Sequence, residues 1–349
     1  MDKKLKYLLS KGNLSREEII FLLNIDDPME LGHLFKRANE VRKFFCGNDV
    51  HLRGIIEFSN HCDQRCQYCG LRCPNNELER YRMSNDEIIE TAQFIYSSGI
   101  KTIVLQSGED SFYTTDDIEE IIISIKKDLD VAITLSIGER EFFEYDRWKR
   151  AGADRYLLKH ETANPKLYAS YHQNQNLQDR LNHLEYLKSI GFQTGGGNIV
   201  GLPGQSIEDI ADDILLLKEF NVDMASISPF IPSANTPYGN KPPCDIDLLL
   251  KTMAIARLVL KNSHIPSTTA LSTLVHDGRE RGLQAGANVI MPNFTPQPYK
   301  ERYIIYENKA RADSDPIENV RAITNLINSV GRTVGNSKGH SLKSISNLI

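Results

Sequence analysis

The sequence predicts an α/β protein whose main domain is a closed parallel (β/α)8 barrel of the TIM type, preceded by a helical extension. From residue 51 onward, short β-branched runs alternate with amphipathic segments, about eight times in roughly 250 residues. No low-complexity linker or internal repeat interrupts this series. Polar motifs directly follow the predicted strands, and the carboxyl ends of the strands are where parallel barrels gather their functional side chains.

Residues 1–50 are predicted to form the helical extension. Leu5 and Leu8 lie on one face of a helical pattern, and Ser15 with Glu18 makes a capping box that marks a helix start. No candidate catalytic group occurs here, so we expect a lid or plug packed against the main domain. The predicted division is this extension, a barrel with a C-terminal helix over residues 51–335, and a tail over residues 336–349.

The barrel strands are predicted from short runs of β-branched and apolar residues. After the first of them, a capping box at Ser84 and Glu87 predicts a helix that ends at Gly99. A further helix is expected to begin after Ser206. In chain order, the predicted strands are residues 53–58, 101–106, 131–136, 154–158, 198–200, 224–227, 267–271 and 288–291.

Composition narrows the class of protein. The chain has 349 residues, 40% hydrophobic and 25% charged, which is an ordinary globular composition. Its formal net charge is −5, from 41 basic and 46 acidic residues without a basic stripe, so nucleic acid is not an expected partner. Apolar runs are too short to span a membrane and the N-terminus does not resemble a signal peptide. We therefore expect no membrane association and a cytoplasmic location.

The strongest chemical signal is a loop directly after the first predicted strand. Cys62, Cys66 and Cys69 stand in the pattern C-x-x-x-C-x-x-C. Cysteine thiolates are the usual ligands of iron–sulfur clusters, and three of them leave one iron of a four-iron cluster open. An open iron can bind a substrate or a cofactor.

Other interpretations of these cysteines remain open at this point. A structural zinc site usually needs four ligands, and no second cysteine or histidine pair follows at the usual distance. A disulfide cluster is disfavoured because the six cysteines are sparse and no secretory signal is present. Unrelated thiols are the remaining alternative. Cys73 follows closely, but we interpret it as a spare thiol and not as a ligand.

The cysteine spacing resembles the signature of the radical S-adenosylmethionine (SAM) family. Across roughly residues 1 to 335, further segments resemble the HydE family of FeFe-hydrogenase maturases within it, with biotin synthase and methylornithine synthase as relatives. These segments include residues 57–60, 81–84, 105–110, 160–165, 229–232, 268–270 and 287–293.

This resemblance implies the cofactors. Cys62, Cys66 and Cys69 would hold a 4Fe–4S cluster, and SAM would chelate its open iron and be cleaved after an electron arrives from a reductant such as ferredoxin or flavodoxin. Some members carry a second cluster on three cysteines near the C-terminus, but residues 306–317 contain no cysteine here. A single cluster is therefore predicted. Other hydrogenase maturases are further expected partners, and an exposed low-potential cluster suits an anaerobe.

The resemblance also implies SAM contacts at the strand ends. Tyr68 would lie beside the adenine, and Glu161 would contact SAM. The planar fork of Arg180 suits the SAM carboxylate. Backbone carbonyl groups would hold the methionine ammonium, and a Gly-Pro-Gly turn would lie against the adenine. These backbone contacts are assigned to Gln106, Ser107 and Gly108, and to Gly201 and Leu202.

The expected substrate pocket lies at the same end of the barrel. Lys159 stands where many members have arginine, so bidentate anion binding is lost at this position. Small hydroxyl groups and a soft methionine would line the rest of the pocket. The predicted substrate contacts are Arg155, Lys159, Thr268, Thr269 and Met291.

The resemblance implies an enzyme that cleaves SAM reductively and acts on a small iron complex bearing cyanide, carbon monoxide and cysteine, for assembly of the hydrogenase active site. One alternative is an amino-acid radical mutase of the methylornithine synthase type, in which Thr268 and Thr269 bind a carboxylate. An alternative from another class is a noncatalytic iron–sulfur cluster carrier. A carrier needs neither an adenine-facing loop nor a methionine clamp, and this disfavours it.

Overall fold

The structure, a computed structural model, describes residues 2–309 and 315–343. Three helices come first, and strands then alternate with helices along the chain. No helix within the described ranges is long and apolar enough to cross a membrane. The strands are β1 (Asp49–Leu52), β2 (Gly54–Ser59), β3 (Thr102–Ser107), β4 (Ala132–Ser136), β5 (Arg155–Leu157), β6 (Gln193–Val200), β7 (Met224–Pro229), β8 (Val289–Ile290) and β9 (Thr333–Gly335).

The helices cover the outside of the strands. Ser15 and Ser84 form the predicted capping boxes, and Ser206 caps its helix as expected. The helices are α1 (Lys3–Ser10), α2 (Arg16–Leu23), α3 (Pro28–Cys46), α4 (Asn85–Ser97), α5 (Thr115–Asp128), α6 (Phe142–Ala151), α7 (Pro165–Tyr171), α8 (Leu177–Ser189), α9 (Ile207–Glu219), α10 (Ile246–Leu260), α11 (Thr269–Leu274), α12 (Gly278–Gln284), α13 (Tyr299–Arg302) and α14 (Pro316–Ser329).

The strands form the predicted closed parallel barrel. Strands β2 to β7 make one parallel sheet in sequence order. Single bridges complete the circle: His264 pairs with Met224 of β7, and Pro266 pairs with Val289 of β8. Asn293 then pairs with Ile55 of β2. Strand β1 continues β2 at its amino end and joins β8 and β9 in a second, three-stranded sheet.

Two strand positions differ from the sequence prediction. Strand β6 begins at Gln193, because the glycines before Asn198 are part of it: a Cβ on Gly197 would lie 2.2 Å from the Ser226 carbonyl oxygen. The prediction of a strand over residues 267–271 is wrong. The chain joins the barrel at residues 264–266 through isolated bridges, and Thr268 already caps helix α11. A β-branched run without clear alternation does not show where a strand ends.

The N-terminal extension packs on the outer helices of the barrel and not across its opening. Helix α2 contacts α9 and α10, and α3 contacts α10 and α12. The Arg16 guanidinium binds the Asp212 carboxylate of α9 with two hydrogen bonds of 2.6 and 2.8 Å. The expected position of a lid is occupied by another part of the chain, residues 303–309, which we call the mouth segment. It contacts the carboxyl ends of β2 and β3 through Glu57 and Gln106.

The amino end of the barrel is closed by the beginning of the predicted tail. Arg155, the first residue of β5, donates to the carbonyl oxygens of Lys338 at 2.6 Å and Gly339 at 3.0 Å. The hydroxyl of Thr102 also donates to Lys338 O at 2.8 Å, and the His264 ring lies 3.0 Å from the carbonyl oxygen of His340. Residues 344–349 of the tail lie outside the described residues.

This position predicts a structural role for Arg155. Replacing it with leucine removes buried donors to two carbonyl groups, and an unsatisfied buried polar group costs about 1–3 kcal/mol. We expect Arg155→Leu to lower the free energy of unfolding by about that amount. Urea denaturation would measure it, with Arg150→Leu on the exposed side of α6 as the control. Equal unfolding midpoints for the two variants would contradict the assignment.

Candidate active site

A cavity of about 390 Å³ opens at the carboxyl ends of the barrel strands. Residues from the ends of β2 to β8, from the loops that follow and from the mouth segment line it. This is the end at which parallel barrels bind their ligands. Thirteen of the predicted site residues line this cavity: Cys62, Cys66, Tyr68, Cys69, Gln106, Ser107, Gly108, Lys159, Glu161, Arg180, Thr268, Thr269 and Met291.

The cysteine loop is held against the end of β3 by close backbone packing. Asp63 N donates to Glu109 O at 2.8 Å, and the Gln64 amide donates to the Glu109 carboxylate at 2.6 Å. Gly108 lies so close to the loop that a Cβ would be 2.1 Å from His61 O and 2.7 Å from Cys62 Cβ. Only glycine permits this approach, which explains the glycine of the sequence motif.

The three cysteines are partly buried in the cavity wall. Burial, with a smaller contribution from Cys69, raises the pKa of Cys62 to about 12. Burial likewise raises the pKa of Cys69 to about 11 and that of Cys66 above its ordinary value. Metal binding requires thiolates and therefore releases protons from such groups. Ligation by these cysteines would thus be strongly coupled to deprotonation.

The donor set fits an iron–sulfur cluster. Within residues 2–309 and 315–343, no three His, Cys, Asp or Glu side chains converge on one point that a single ion would occupy. The three cysteines nevertheless line one cavity on one loop, and a cubane needs each thiolate at a different iron, so its ligands need not converge. Three thiols without a convergent fourth ligand match that requirement.

Arg180 is buried and is held by two partly buried acids. Its Nε lies 2.8 Å from the Glu139 carboxylate and 3.2 Å from the Tyr168 hydroxyl, and its Nη2 lies 3.2 Å from Glu109. Burial opposes the charge of Arg180, but Glu109 and Glu139 outweigh it, and its pKa is raised. Burial raises the pKa of Glu139. An anionic ligand would therefore meet an Arg180 side chain that Glu109 and Glu139 already hold in place.

Lys159 and Glu161 form an ion pair after strand β5, with 3.1 Å between the ammonium and the carboxylate. Glu161 has a φ angle of 64°, an uncommon conformation for a residue other than glycine. Its N–H donates to Gly197 O at 3.0 Å, and Ile199 N donates to its carbonyl oxygen at 3.0 Å. Strand β6 therefore fixes this turn, which directs Glu161 to the cavity.

Comparison with known proteins shows the family of this chain. The model of the radical SAM superfamily matches residues 56–217. The FeFe-hydrogenase maturase subunit HydE of Thermotoga maritima is 47% identical over 331 residues, which is 95% of this chain and 95% of that protein. The chain belongs to the HydE family of radical SAM enzymes. Membership in the family implies a 4Fe–4S cluster and SAM as cofactors.

Other relatives of this HydE family member share the fold. The 3-methylornithine synthase of Methanosarcina acetivorans is 29% identical over 94% of this chain and 91% of that protein. The crystal structure of methylornithine synthase (PylB) superposes with a TM-score of 0.85 at 23% identity, covering 99% of this chain and 100% of that chain. At this identity the structural likeness shows the barrel fold alone.

Three predicted site residues of the HydE family member do not line the cavity. Arg155 lies at the opposite end of the barrel, because it is the first residue of its strand and not the last. Gly201 has a φ angle of 83° and packs against Cys244, where a Cβ would lie 2.9 Å from Cys244 Cα. Leu202 is buried in the core. The neighbouring Ile199 lines the cavity instead.

Several polar groups of the cavity escaped the sequence analysis. Glu57 accepts a hydrogen bond of 2.7 Å from Asn293 and forms an ion pair with Lys309 of the mouth segment. Arg279 lines the cavity near Thr268, and His172 lies beside the cysteine loop. Glu57 belongs to one of the segments that carry the family resemblance and lies at a strand end. The sequence could therefore have indicated it as a cavity residue. Arg279 lies on helix α12, His172 lies at the end of α7, and Lys309 lies in the mouth segment far along the chain. No sequence pattern marks these three residues.

The close approach at Gly108 predicts the effect of a small substitution. Gly108→Ala would push the cysteine loop away from β3, since backbone and a short side chain cannot move aside easily. We expect reduced iron per chain after anaerobic reconstitution, with the far-UV circular dichroism retained.

Gly32→Ala is the matched control for Gly108→Ala, because Gly32 lies in α3 with open space around its Cα. Alanine is favoured over glycine in a helix, and this variant should load iron normally. A Gly108→Ala protein with the iron content of the control would contradict the packing argument.

Proposed function

We propose that this chain cleaves SAM reductively at a single 4Fe–4S cluster held by Cys62, Cys66 and Cys69, and acts on a small iron complex that carries cysteine during assembly of the FeFe-hydrogenase active site. The observation that carries the proposal is the shared cavity of the three cysteines, the Arg180 network and the Lys159–Glu161 pair. The 47% identity to the HydE of Thermotoga maritima supports the assignment to hydrogenase assembly.

When bound, the cluster would supply the electron that cleaves SAM to a 5′-deoxyadenosyl radical. The residues of the chain bind and orient the reactants. The carbonyl groups of the segment from Gln106 to Gly108 would hold the methionine ammonium, and Arg180, fixed by Glu109 and Glu139, would offer a charged donor to the carboxylate. Tyr68 lines the same cavity and would support the nucleoside.

The mouth segment forms part of the cavity wall beside the cysteine loop. Tyr303, Ile305 and Tyr306 of the mouth segment line the cavity on the side of the cysteine loop. Gly70 N donates to Ile305 O at 2.9 Å, so the segment is bound to that loop directly. A radical formed beside the loop would be enclosed largely by protein, which limits side reactions with solvent.

The substrate side of the cavity favours a small, polar and partly anionic molecule. Lys159 and Arg279 supply positive charge, and Thr268 and Thr269 supply hydroxyl groups near Met291. The cavity has a volume of about 390 Å³, which favours a compact substrate. An iron complex with cysteine, cyanide and carbon monoxide has these properties. The Thr268 hydroxyl also accepts a hydrogen bond from Leu271 N and so caps α11, which fixes its side chain.

A second candidate function is the rearrangement of an amino acid. The 29% identity to 3-methylornithine synthase favours it over other radical reactions. In this alternative, Thr268 and Thr269 bind the carboxylate of the substrate. The noncatalytic cluster carrier is disfavoured, because the Arg180 network and the Glu161 turn are not needed to transfer a cluster.

We further propose ferredoxin or flavodoxin as the reductant, other hydrogenase maturases as partners in the same assembly, and the cytoplasm as the location. These assignments follow from the HydE family. They are independent of the barrel geometry.

The cysteine assignment predicts a sharp difference within one loop. Alanine at Cys62, Cys66 or Cys69 should abolish formation of 5′-deoxyadenosine from SAM and dithionite, because each variant removes one ligand. Cys73→Ala in the same loop is the control, since Cys73 is exposed. It should keep both iron and cleavage. Retained cleavage in any variant of the triad would exclude the assignment.

The substrate is tested on anaerobically reconstituted protein with dithionite and SAM. We expect 5′-deoxyadenosine to form faster when a synthetic iron complex carrying cysteine, cyanide and carbon monoxide is present. A cleavage rate that the complex does not change, together with a rearranged product from lysine, would favour the mutase. Absence of cleavage in a fully loaded protein would favour the cluster carrier.

A further inference from the structure

His172 lies between the cysteine loop and Tyr68. Its Nδ1 is 3.3 Å from Cys66 Sγ, and its Nε2 is 3.2 Å from the Tyr68 hydroxyl. The ring is 3% exposed. One buried imidazole thus contacts a proposed cluster ligand on one side and a proposed nucleoside contact on the other.

We propose that His172 donates a hydrogen bond from Nδ1 to the sulfur of cluster-bound Cys66, that the Tyr68 hydroxyl donates to Nε2, and that this chain of donors raises the reduction potential of the cluster. The inference rests on the proposed assignment of Cys66 as a ligand. His172 is a positioning and tuning residue in this proposal, not a catalytic one.

The direction of the hydrogen bonds follows from the chemistry of the two ends. A thiolate bound to iron carries no proton, so its sulfur can only accept. Nδ1 of His172 must therefore hold the hydrogen. In the neutral imidazole Nε2 then has a lone pair, and the Tyr68 hydroxyl, 3.2 Å away, can donate to it. Donation by Tyr68 polarises the ring and strengthens the bond to sulfur.

At the other two cysteines, backbone groups take the place of such a side-chain donor. The backbone groups of Gln64 and Glu109 lower the pKa of Cys62 against the larger effect of burial, and that of Leu71 does the same for the pKa of Cys69. For Cys66, the donor within hydrogen-bond distance is the side chain of His172. The imidazole thus has the role at Cys66 that backbone groups have at Cys62 and Cys69.

Helix α7 fixes the imidazole relative to the loop. The His172 ring stacks on Tyr168 one turn earlier, with 4.5 Å between centroids and an interplanar angle of 18°. Gln67 N of the cysteine loop donates to Tyr171 O at 2.9 Å, which ties the loop to the end of the same helix. The distance from Nδ1 to Cys66 is therefore set on both sides by packing.

A hydrogen bond to a thiolate stabilises the reduced cluster more than the oxidised one, because reduction adds negative charge to the sulfurs. Hydrogen bonds to sulfur are among the factors that set cluster potentials. Loss of the His172 donor should therefore make the cluster harder to reduce. The expected change is a more negative midpoint potential with an unchanged cluster type.

The test is a redox titration of the reconstituted cluster, followed by electron paramagnetic resonance without SAM or substrate. His172→Phe keeps a ring for stacking on Tyr168 but removes both nitrogens, and it should shift the midpoint to a more negative value. His172→Asn places an amide donor near the position of Nδ1 and should restore most of the potential. Tyr68→Phe should give a smaller shift of the same sign. His264→Gln, at another buried histidine near the amino end of the barrel, should give none.

A fully loaded His172→Phe protein with the parent midpoint would overturn the proposal. If this variant fails to load a cluster, Tyr68→Phe decides the matter, and an unchanged midpoint there would overturn it equally. Because neither SAM nor substrate is present, an error in the proposed reaction does not affect the result. An error in the ligand assignment would appear separately, as a four-iron cluster that survives Cys66→Ala.

Discussion

The close backbone approach between Gly108 and the cysteine loop is the constraint on which the active site depends. It brings His61 and Cys62 against the end of β3, where a Cβ would not fit. From there the loop is bound to the end of α7 and to the mouth segment by further backbone hydrogen bonds. The proposed cluster ligands are thus positioned by main-chain contacts from three separate parts of the barrel. Side-chain substitutions in the loop leave those contacts in place.

The charged groups of the cavity are arranged as pairs. Arg180 is paired with Glu109 and Glu139, and Lys159 is paired with Glu161. Burying a single charge is costly, whereas a paired and hydrogen-bonded charge is tolerated. A charged ligand must therefore add to a pair or replace one of its members. Selectivity at this site follows from the cost of rearranging the pairs as much as from the shape of the cavity.

Much of the fold was readable from local pattern. Capping boxes such as that at Ser84 mark helix starts by side-chain chemistry within four residues, and short β-branched and apolar runs mark most strands. Arg155 was misplaced because its strand has only three residues, and the two ends of so short a strand are hard to distinguish in a sequence. His172 was missed because its contacts to Cys66 depend on how α7 packs against the loop. Contacts between residues far apart in the chain have no local signal.

The mouth segment shares a boundary with the cysteine loop, since Gly70 lies directly against Ile304 and Ile305. Movement of the segment that is large enough to admit a substrate would also uncover the metal site. Each round of substrate entry would then bring the cluster into contact with dissolved oxygen. Oxidative loss of the cofactor would accumulate with the number of catalytic cycles and not with elapsed time. An idle enzyme would survive a brief exposure to air better than a working one.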